Sequence, residues 1–471
     1  MDNSKPDKLL KMAYPDDLEI IPSPFLSSNL NPDNWDGLLW ELSRGCPFNC
    51  SFCAESRGVK GVRYYSEERI KQELIFFEEH KVDQIFVLDP TFNIDKNRAL
   101  KIIALIKKHA PLIHFTFEIR AELLDKELAK GFSKLNCSLQ IGLQSSRINV
   151  LKNVNRSLNP KQFSEKIGLL NKYGAVFGLD LIYGLPGDNL SGFLESLNYA
   201  LYRIPNHLDI FRLSVFPGTA LFEQADKFNL TYKKNAPYSV ISSPEYSESD
   251  LEKSEKIAHA VNIFYNKGKA AGWLLSVTDI LQITPSEFFC KIMIFLEEQS
   301  PNNTNPYLLQ NQFLKYIFKE QKREKYLPAA LDLCKFHYLY SEALYAESDL
   351  EVNTKVQKID YQKKYRKTSL LQFDTFNYDV NYYASNGIID IKHLIKHNKK
   401  VESFALIFFN GNGIETLSIE KQYYKIFEKL NGKKTMANIL TSVKIKEGNA
   451  KEFISFLLEL NLIIPEPLSK P

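Results

Sequence analysis

Three cysteines, Cys46, Cys50 and Cys53, fall inside one run of mostly small and polar residues, Ser43-Arg44-Gly45-Cys46-Pro47-Phe48-Asn49-Cys50-Ser51-Phe52-Cys53. The spacing CxxxCxxC lets a tight loop turn three thiolates onto one inorganic cluster. A cluster capped by four cysteines transfers electrons, whereas one held by three leaves an iron open to a small molecule. The same closed-versus-open logic separates structural from catalytic zinc. Zinc would need a fourth Cys or His close by, and the next candidates, His80 and Cys137, belong to no second CxxC pair. Three thiols serving as small buried hydrophobes fit poorly beside Ser43, Arg44, Gly45, Asn49 and Ser51.

The rest of the composition bounds the class. A chain of 471 residues exceeds the usual single compact domain, so a main unit with smaller pieces is expected. Apolar residues make up 44%, and Lys+Arg 60 against Asp+Glu 56 leaves a formal charge of +4, the balance of an ordinary globular protein and weak support for nucleic acid. The sequence has no run of about 18 apolar residues, and its start lacks the apolar core of a secretory signal. These features lead us to expect a cytoplasmic protein with neither membrane nor nucleic acid as partner. Six cysteines, three of them crowded into the loop, argue for a metal site in a reducing compartment rather than a disulfide framework.

The elements that must position the loop follow a rhythm. Short apolar, β-prone runs at 38–42, 84–88, 113–119, 138–143, 176–183 and 209–215 alternate with helical patterns at 66–80, 96–108, 125–134, 160–173, 190–202 and 220–228. Six successive β/α units predict a parallel sheet with helices on its outer side, and such sheets gather chemistry in the loops after the carboxyl ends of their strands. The cysteine loop directly follows the first strand.

After Tyr232 the rhythm ends. Helices at 249–267, 285–298 and 327–346 form an extension, and the polar, Tyr-rich stretch 350–398 reads as a loop or β-hairpin crossing. Beyond it come helices at 420–430, 435–443 and 449–460, with a turn at Asn431-Gly432-Lys433, which predict a small winged-helix-like appendage. The expected division is a lead-in segment at 1–36, the β/α unit at 37–232, the helical extension at 233–349, a linker or hairpin region at 350–413 and the appendage at 414–471.

With the aromatic Phe52 before its last cysteine, the loop resembles the motif of the radical S-adenosylmethionine (SAM) superfamily, and the resemblance extends over about 38–219. It implies an α/β fold, a partial (β/α)6 barrel, here with a helical extension and a small C-terminal winged-helix-like domain. It also implies a [4Fe-4S] cluster on Cys46, Cys50 and Cys53 that reduces bound SAM to methionine and a 5'-deoxyadenosyl radical, and hence an external electron donor. By the same resemblance Phe52 supports the adenine side of the loop. Asp89 and Thr91, with Pro90, stand where the family commonly has Gly-Gly-Glu contacting the SAM amino group, although an Asp-Pro turn has ordinary conformational reasons too. Gln140 and Gln144 are similar to residues touching ribose, Arg156 to an arginine meeting the SAM carboxylate, and Gly178 and Asp180 lie on a strand like the one that passes under adenine. Glu118 and Arg120 share a strand face by alternation, so they form an ion pair beside substrate if that face looks inward and a surface pair if it does not.

Segments such as EIRAELLD and LIYGLPGD resemble a subgroup whose larger members carry a cobalamin-binding domain, for which the chain has no room before Leu38. The subgroup also resembles proteusin-type radical SAM peptide epimerases, which implies Cα hydrogen abstraction from a precursor peptide and return of hydrogen by a thiol. Cys334 is the candidate donor, with Cys290 as its rival, and a helix-core role for Cys334 among Leu331, Leu333 and Phe336 is the alternative. The C-terminal pattern resembles leader-peptide recognition domains, which add a peptide strand to a sheet edge. Peptide epimerisation is therefore the expected reaction. Radical peptide crosslinking or C-methylation is the second reading, and a non-catalytic leader-binding protein with a structural cluster the third.

Overall fold

Alternating burial sets the sheet. Strands β1 (Leu38–Trp40), β2 (Gln84–Val87), β3 (His114–Ile119), β4 (Cys137–Gln144), β5 (Val176–Tyr183) and β6 (His207–Arg212) are parallel and hydrogen-bond in that order. On β3, Phe115, Phe117 and Ile119 are buried while Thr116 and Glu118 take the other face; on β4, Leu139, Ile141 and Leu143 oppose Gln140 and Gly142. The buried set packs outward beneath helices α1 (Glu67–Glu79), α2 (Lys96–His109), α3 (Lys126–Phe132), α4 (Pro160–Tyr173) and α5 (Leu190–Leu201), while the one-turn helix α6 (Ala220–Glu223) bonds to the Ser51 carbonyl of the cysteine loop. Edge-to-face contact of Trp40 with Phe77, and ring contacts of Phe117 with Phe132 and of Tyr183 with Phe193, fasten strands to helices. The other face lines the concave side, where Leu39 is 65% and Phe211 54% exposed. Six parallel strands in sequential order with one-sided helical cover make a partial barrel.

The helix starts are chemically marked. Ser66, Asp95, Asp125, Asn159, Asn189 and Thr219 each accept a hydrogen bond from a backbone N–H of the following first turn, worth about 1 kcal/mol apiece. Gly174, at φ +71°, ends α4 and turns the chain into β5.

The computed structural model describes residues 15, 17–27, 30–55, 61–299, 305–346, 359–387, 389–411 and 413–466, and the chain forms two compact units, 1–259 and 260–471. Among the described residues no helix is long and apolar enough to cross a membrane.

In the second unit the helices Leu274–Leu281, Pro285–Gln299, Pro306–Glu320 and α7 (Leu327–Leu344) pack around Phe264, Phe288 and Phe313. Two three-stranded antiparallel sheets follow. Strands β8 (Leu371–Phe376), β9 (Ser403–Phe409) and β10 (Ile414–Ile419) form one, and β7 (Lys364–Lys367) lies between β11 (Asn431–Thr435) and β12 (Ile463–Pro465) in the other. Helices α8 (Lys421–Lys429), α9 (Met436–Ser442) and α10 (Glu447–Glu459) complete a single core that includes Tyr365, Leu406, Phe408, Ile426, Ile439 and Leu457.

Three expectations change here. The helix expected at 220–228 is one turn, Ala220–Glu223, continued by hydrogen-bonded turns to Asn229 at φ +48°. The segment 350–398 is no hairpin where described: β7 and β8 join different sheets, and helices Val380–Ser385 and Ile391–His397 follow. The Asn431-Gly432-Lys433 turn is part of β11, because pairing with β7 captures it. The appendage core therefore draws on residues well before 414.

Asp332 ties α7 to this region. Its carboxylate, 1% exposed, accepts from Asn377 N at 2.6 Å, Asn377 Nδ2 at 2.9 Å and Tyr378 N at 3.0 Å. Asp332→Ala leaves these buried donors unsatisfied, at about 1–3 kcal/mol each. We expect a clearly lower urea midpoint for the variant, and an unchanged midpoint would contradict this role.

Candidate active site

The cysteine loop leaves β1 through Ser43–Arg44, which pairs antiparallel with Arg63–Tyr64 and so closes its base. Gly45 sits at φ +103°, and a Cβ there would come within 2.5 Å of the Gly61 carbonyl oxygen, so glycine is required. Asp89, at the end of β2, accepts from Leu42 N at 2.8 Å, Ser43 N at 3.0 Å and Ser43 Oγ at 2.5 Å. The loop is pinned again where Ser51 N donates to Val154 O, Asn155 Nδ2 to Asn49 O and Leu221 N to Ser51 O.

The three thiols are free and half-buried. Cys46 Sγ lies 4.0 Å from Thr91 Oγ1, Cys50 Sγ 3.8 Å from Arg156 Nη1, and Cys53 Sγ accepts from Glu55 N at 3.4 Å. Burial pushes the Cys53 thiol up from its ordinary value. Among the described residues no three His, Cys, Asp or Glu side chains are grouped to hold a single metal ion. Three thiols on one loop, with no histidine and no fourth cysteine among the cavity-lining residues, are the donor set of a cluster with one open iron.

The thiols open onto a cavity of about 180 Å³. Eleven of the residues singled out from sequence line it: Cys46, Cys50, Phe52, Cys53, Thr91, Glu118, Arg120, Gln140, Gln144, Arg156 and Asp180. Arg156 donates to the Gly142 carbonyl as well as to Cys50. A Cβ at Gly142 would fall 2.4 Å from Gln144 Nε2, so a side chain there would displace the Gln144 amide. Gln144 Oε1 is buried with no partner among the described residues, an acceptor left for a ligand's donor. Burial, followed by the Asp209 and Glu118 carboxylates, pushes Asp180 up to about 7 against the opposing pull of Arg156. Burial also raises Glu118, with Glu55 adding to it.

Four expectations are corrected or relocated. Asp89 is not among the cavity-lining residues; one of its oxygens accepts from the Leu42 and Ser43 backbone N–H groups and the other from the Ser43 hydroxyl, and Thr91 takes the place beside the thiols. Glu118 and Arg120 both face the cavity but do not pair, because Arg120 binds Glu122 at 2.8 Å. Gly178 lies against His207 outside the cavity. Cys334 is in the second unit, 1% exposed, with Sγ 3.3 Å from Gln310 Oε1, and burial raises its thiol strongly; Cys290 is half-buried on another helix of that unit. The sequence reading passed over Phe48, which lines the cavity beneath Arg120. Its place midway between two cysteines was the available signal.

With the geometry in hand, residues 40–200 match the Radical SAM superfamily, and residues 226–404 match a protein family of unknown function, DUF4080. Residues 40–200 are a radical SAM domain, and its cofactors are a [4Fe-4S] cluster and SAM. An uncharacterised methyltransferase of Pyrococcus horikoshii is 29% identical over 196 residues, 41% of this chain and 43% of that protein. The cobalamin-dependent radical SAM methyltransferase TokK of Streptomyces tokunonensis is 26% identical, over 39% of this chain and 28% of its own length. A solved radical SAM methyltransferase, TsrM of Kitasatospora setae, aligns over 43% of this chain and 42% of its own at 15% identity and TM-score 0.38. The chain thus spans less than half the length of these relatives. They are methyltransferases, not the peptide epimerases that the sequence resemblance led us to expect.

Two predictions test the site. Asp89→Ala strands two backbone N–H groups at about 1–3 kcal/mol each, so the apo protein should lose stability and the reconstituted protein should carry less iron and sulfide; wild-type iron content would contradict the assignment. For Asp180, a folded-state value near 7 against an ordinary 3.8 means the folded chain binds this proton more tightly than the unfolded one. Stability linked to the group is complete below pH 3.8 and is lost as pH rises through about 7. Apo Asp180→Asn should therefore gain stability over wild type as pH climbs through that window, and a pH-independent difference would contradict the shift.

Proposed function

We propose that this chain is a radical SAM enzyme that removes a hydrogen atom from a C–H bond of its substrate, the hydrogen leaving in 5'-deoxyadenosine, with methylation at that carbon as the leading outcome. The methyl group would come from a second SAM, released as S-adenosylhomocysteine, by way of a cobalamin carrier that takes a further electron from the external donor to be recharged. The carrying observation is the three-thiol loop opening onto a cavity whose remaining walls supply Thr91, Glu118, Gln144, Arg156 and Asp180. When bound, the cluster and SAM supply a 5'-deoxyadenosyl radical. Cys46, Cys50 and Cys53 would hold the cluster with three thiolates, and SAM would bind beside them. Arg156 would answer its carboxylate, Thr91 and the neighbouring Pro90 carbonyl its ammonium, and Gln144, Glu118 and Asp180 would take hydroxyl donors of the ribose. Phe52 gives the adenine an apolar neighbour. An external one-electron donor is part of the proposal. The names of the relatives support methylation as the outcome.

Peptide epimerisation is the second reading. The observation in its favour is that burial keeps the Cys334 thiol protonated, the form that returns a hydrogen atom. In that case the substrate is a precursor peptide, and the C-terminal winged-helix-like region is the part that binds its leader.

Anaerobically reconstituted protein given SAM and dithionite should form 5'-deoxyadenosine and methionine, and Cys46→Ala should form neither. Wild-type protein with a full cluster and no deoxyadenosine would overturn the proposal. SAM carrying an isotopic methyl group separates the readings: methylation moves the label into product, whereas epimerisation leaves product mass unchanged and, in deuterated water, places deuterium at the inverted carbon.

A further inference from the structure

Arg120 is held more firmly than a ligand contact alone requires. Its backbone is clamped from both sides by the buried Asn93, which donates from Nδ2 to Arg120 O at 2.9 Å and accepts from Arg120 N at 3.0 Å. The side chain, 11% exposed, lays its guanidinium 3.8 Å over the ring of Phe48, the residue midway between Cys46 and Cys50. Nη2 binds Glu122, while Nε is buried with no partner among the described residues. A second guanidinium, Arg156, reaches Cys50 Sγ. Two permanent cations therefore stand on the Cys50 side of the loop, and Glu122, held below its ordinary value against burial by its hydrogen bond to Arg120, is the carboxylate bound to Arg120.

Resting on the radical SAM reading above, we propose that Arg120 is a positioning residue for the cluster that sets its reduction potential. Stacked on Phe48, it fixes the span between the first two thiolates, and its buried Nε–H and its positive charge, partly offset by Glu122, favour the reduced, more negative cluster. Positive charge and hydrogen bonds near cluster sulfurs raise a potential, while burial without them lowers it. Glu122 opposes Arg120 in charge while orienting it. The two residues should therefore act with opposite signs, which a purely structural role would not produce.

The test is an EPR-monitored redox titration of the reconstituted full chain without SAM, with iron and sulfide measured for each variant. Arg120→Gln should shift the midpoint negative, Arg120→Lys should shift it less, and Glu122→Gln should shift it positive. An unchanged midpoint in Arg120→Gln, or movement of Arg120→Gln and Glu122→Gln in the same direction, would overturn the proposal. If Arg120→Gln fails to hold a cluster, Glu122→Gln decides alone: a midpoint at or below wild type overturns it. Wild-type protein that binds no [4Fe-4S] cluster would instead remove the underlying reading.

Discussion

A loop that must present three thiolates to one cluster cannot also bury them in a core of its own, so it depends on anchors outside itself. The decisive anchor is Asp89. Parallel pairing places the carboxyl ends of β1 and β2 side by side, with Leu88 N donating to Trp40 O at 2.8 Å. A short carboxylate at the end of β2 then reaches two successive N–H groups and a hydroxyl at the exit of β1. Desolvation pushes that carboxyl up to about 6, and the three donors hold it down against this. The same parallel geometry brings the connections after β4 and β6 to the loop, where Val154, Asn155 and Leu221 complete the clamp.

The cavity beyond the thiols is divided by charge. Arg120 and Arg156 stand on the Cys50 side, and Glu118 and Asp180 project from β3 and β5. On the proposed reading, a zwitterionic ligand bearing a ribose would meet this division with its carboxylate toward the cations and its hydroxyls toward the acids. Inside a low-dielectric pocket such placement counts for more than it would in water. Gly142 and the unpartnered oxygen of Gln144 line the same cavity.

How much of this could be read from residues depends on whether the signal was local. The cysteine loop was legible because ligand spacing is a property of a few consecutive residues. The six strands were legible because burial alternates, and the helix starts because Ser66, Asp95, Asp125, Asn159 and Asn189 cap them. The role of Asp89 was hidden because an Asp-Pro turn looks the same whether its oxygens face a ligand or a neighbouring strand. Arg120 has a glutamate two residues away on either side, and only the tight turn Ala121–Leu123 shows that Glu122 is the partner. Asn431-Gly432 carries a strong local turn signal, yet its pairing with β7 comes from far away in sequence. Long-range pairing of this kind leaves little trace in a short window.

The central claim is that three protein thiolates hold a cluster and one iron is left for SAM. Pulsed EPR of the reduced, reconstituted protein with SAM labelled at the amino nitrogen and carboxylate oxygen tests it most directly. The account predicts hyperfine coupling from both labels to the cluster. A [4Fe-4S] spectrum that is unchanged by SAM and shows no coupling to either label would contradict it.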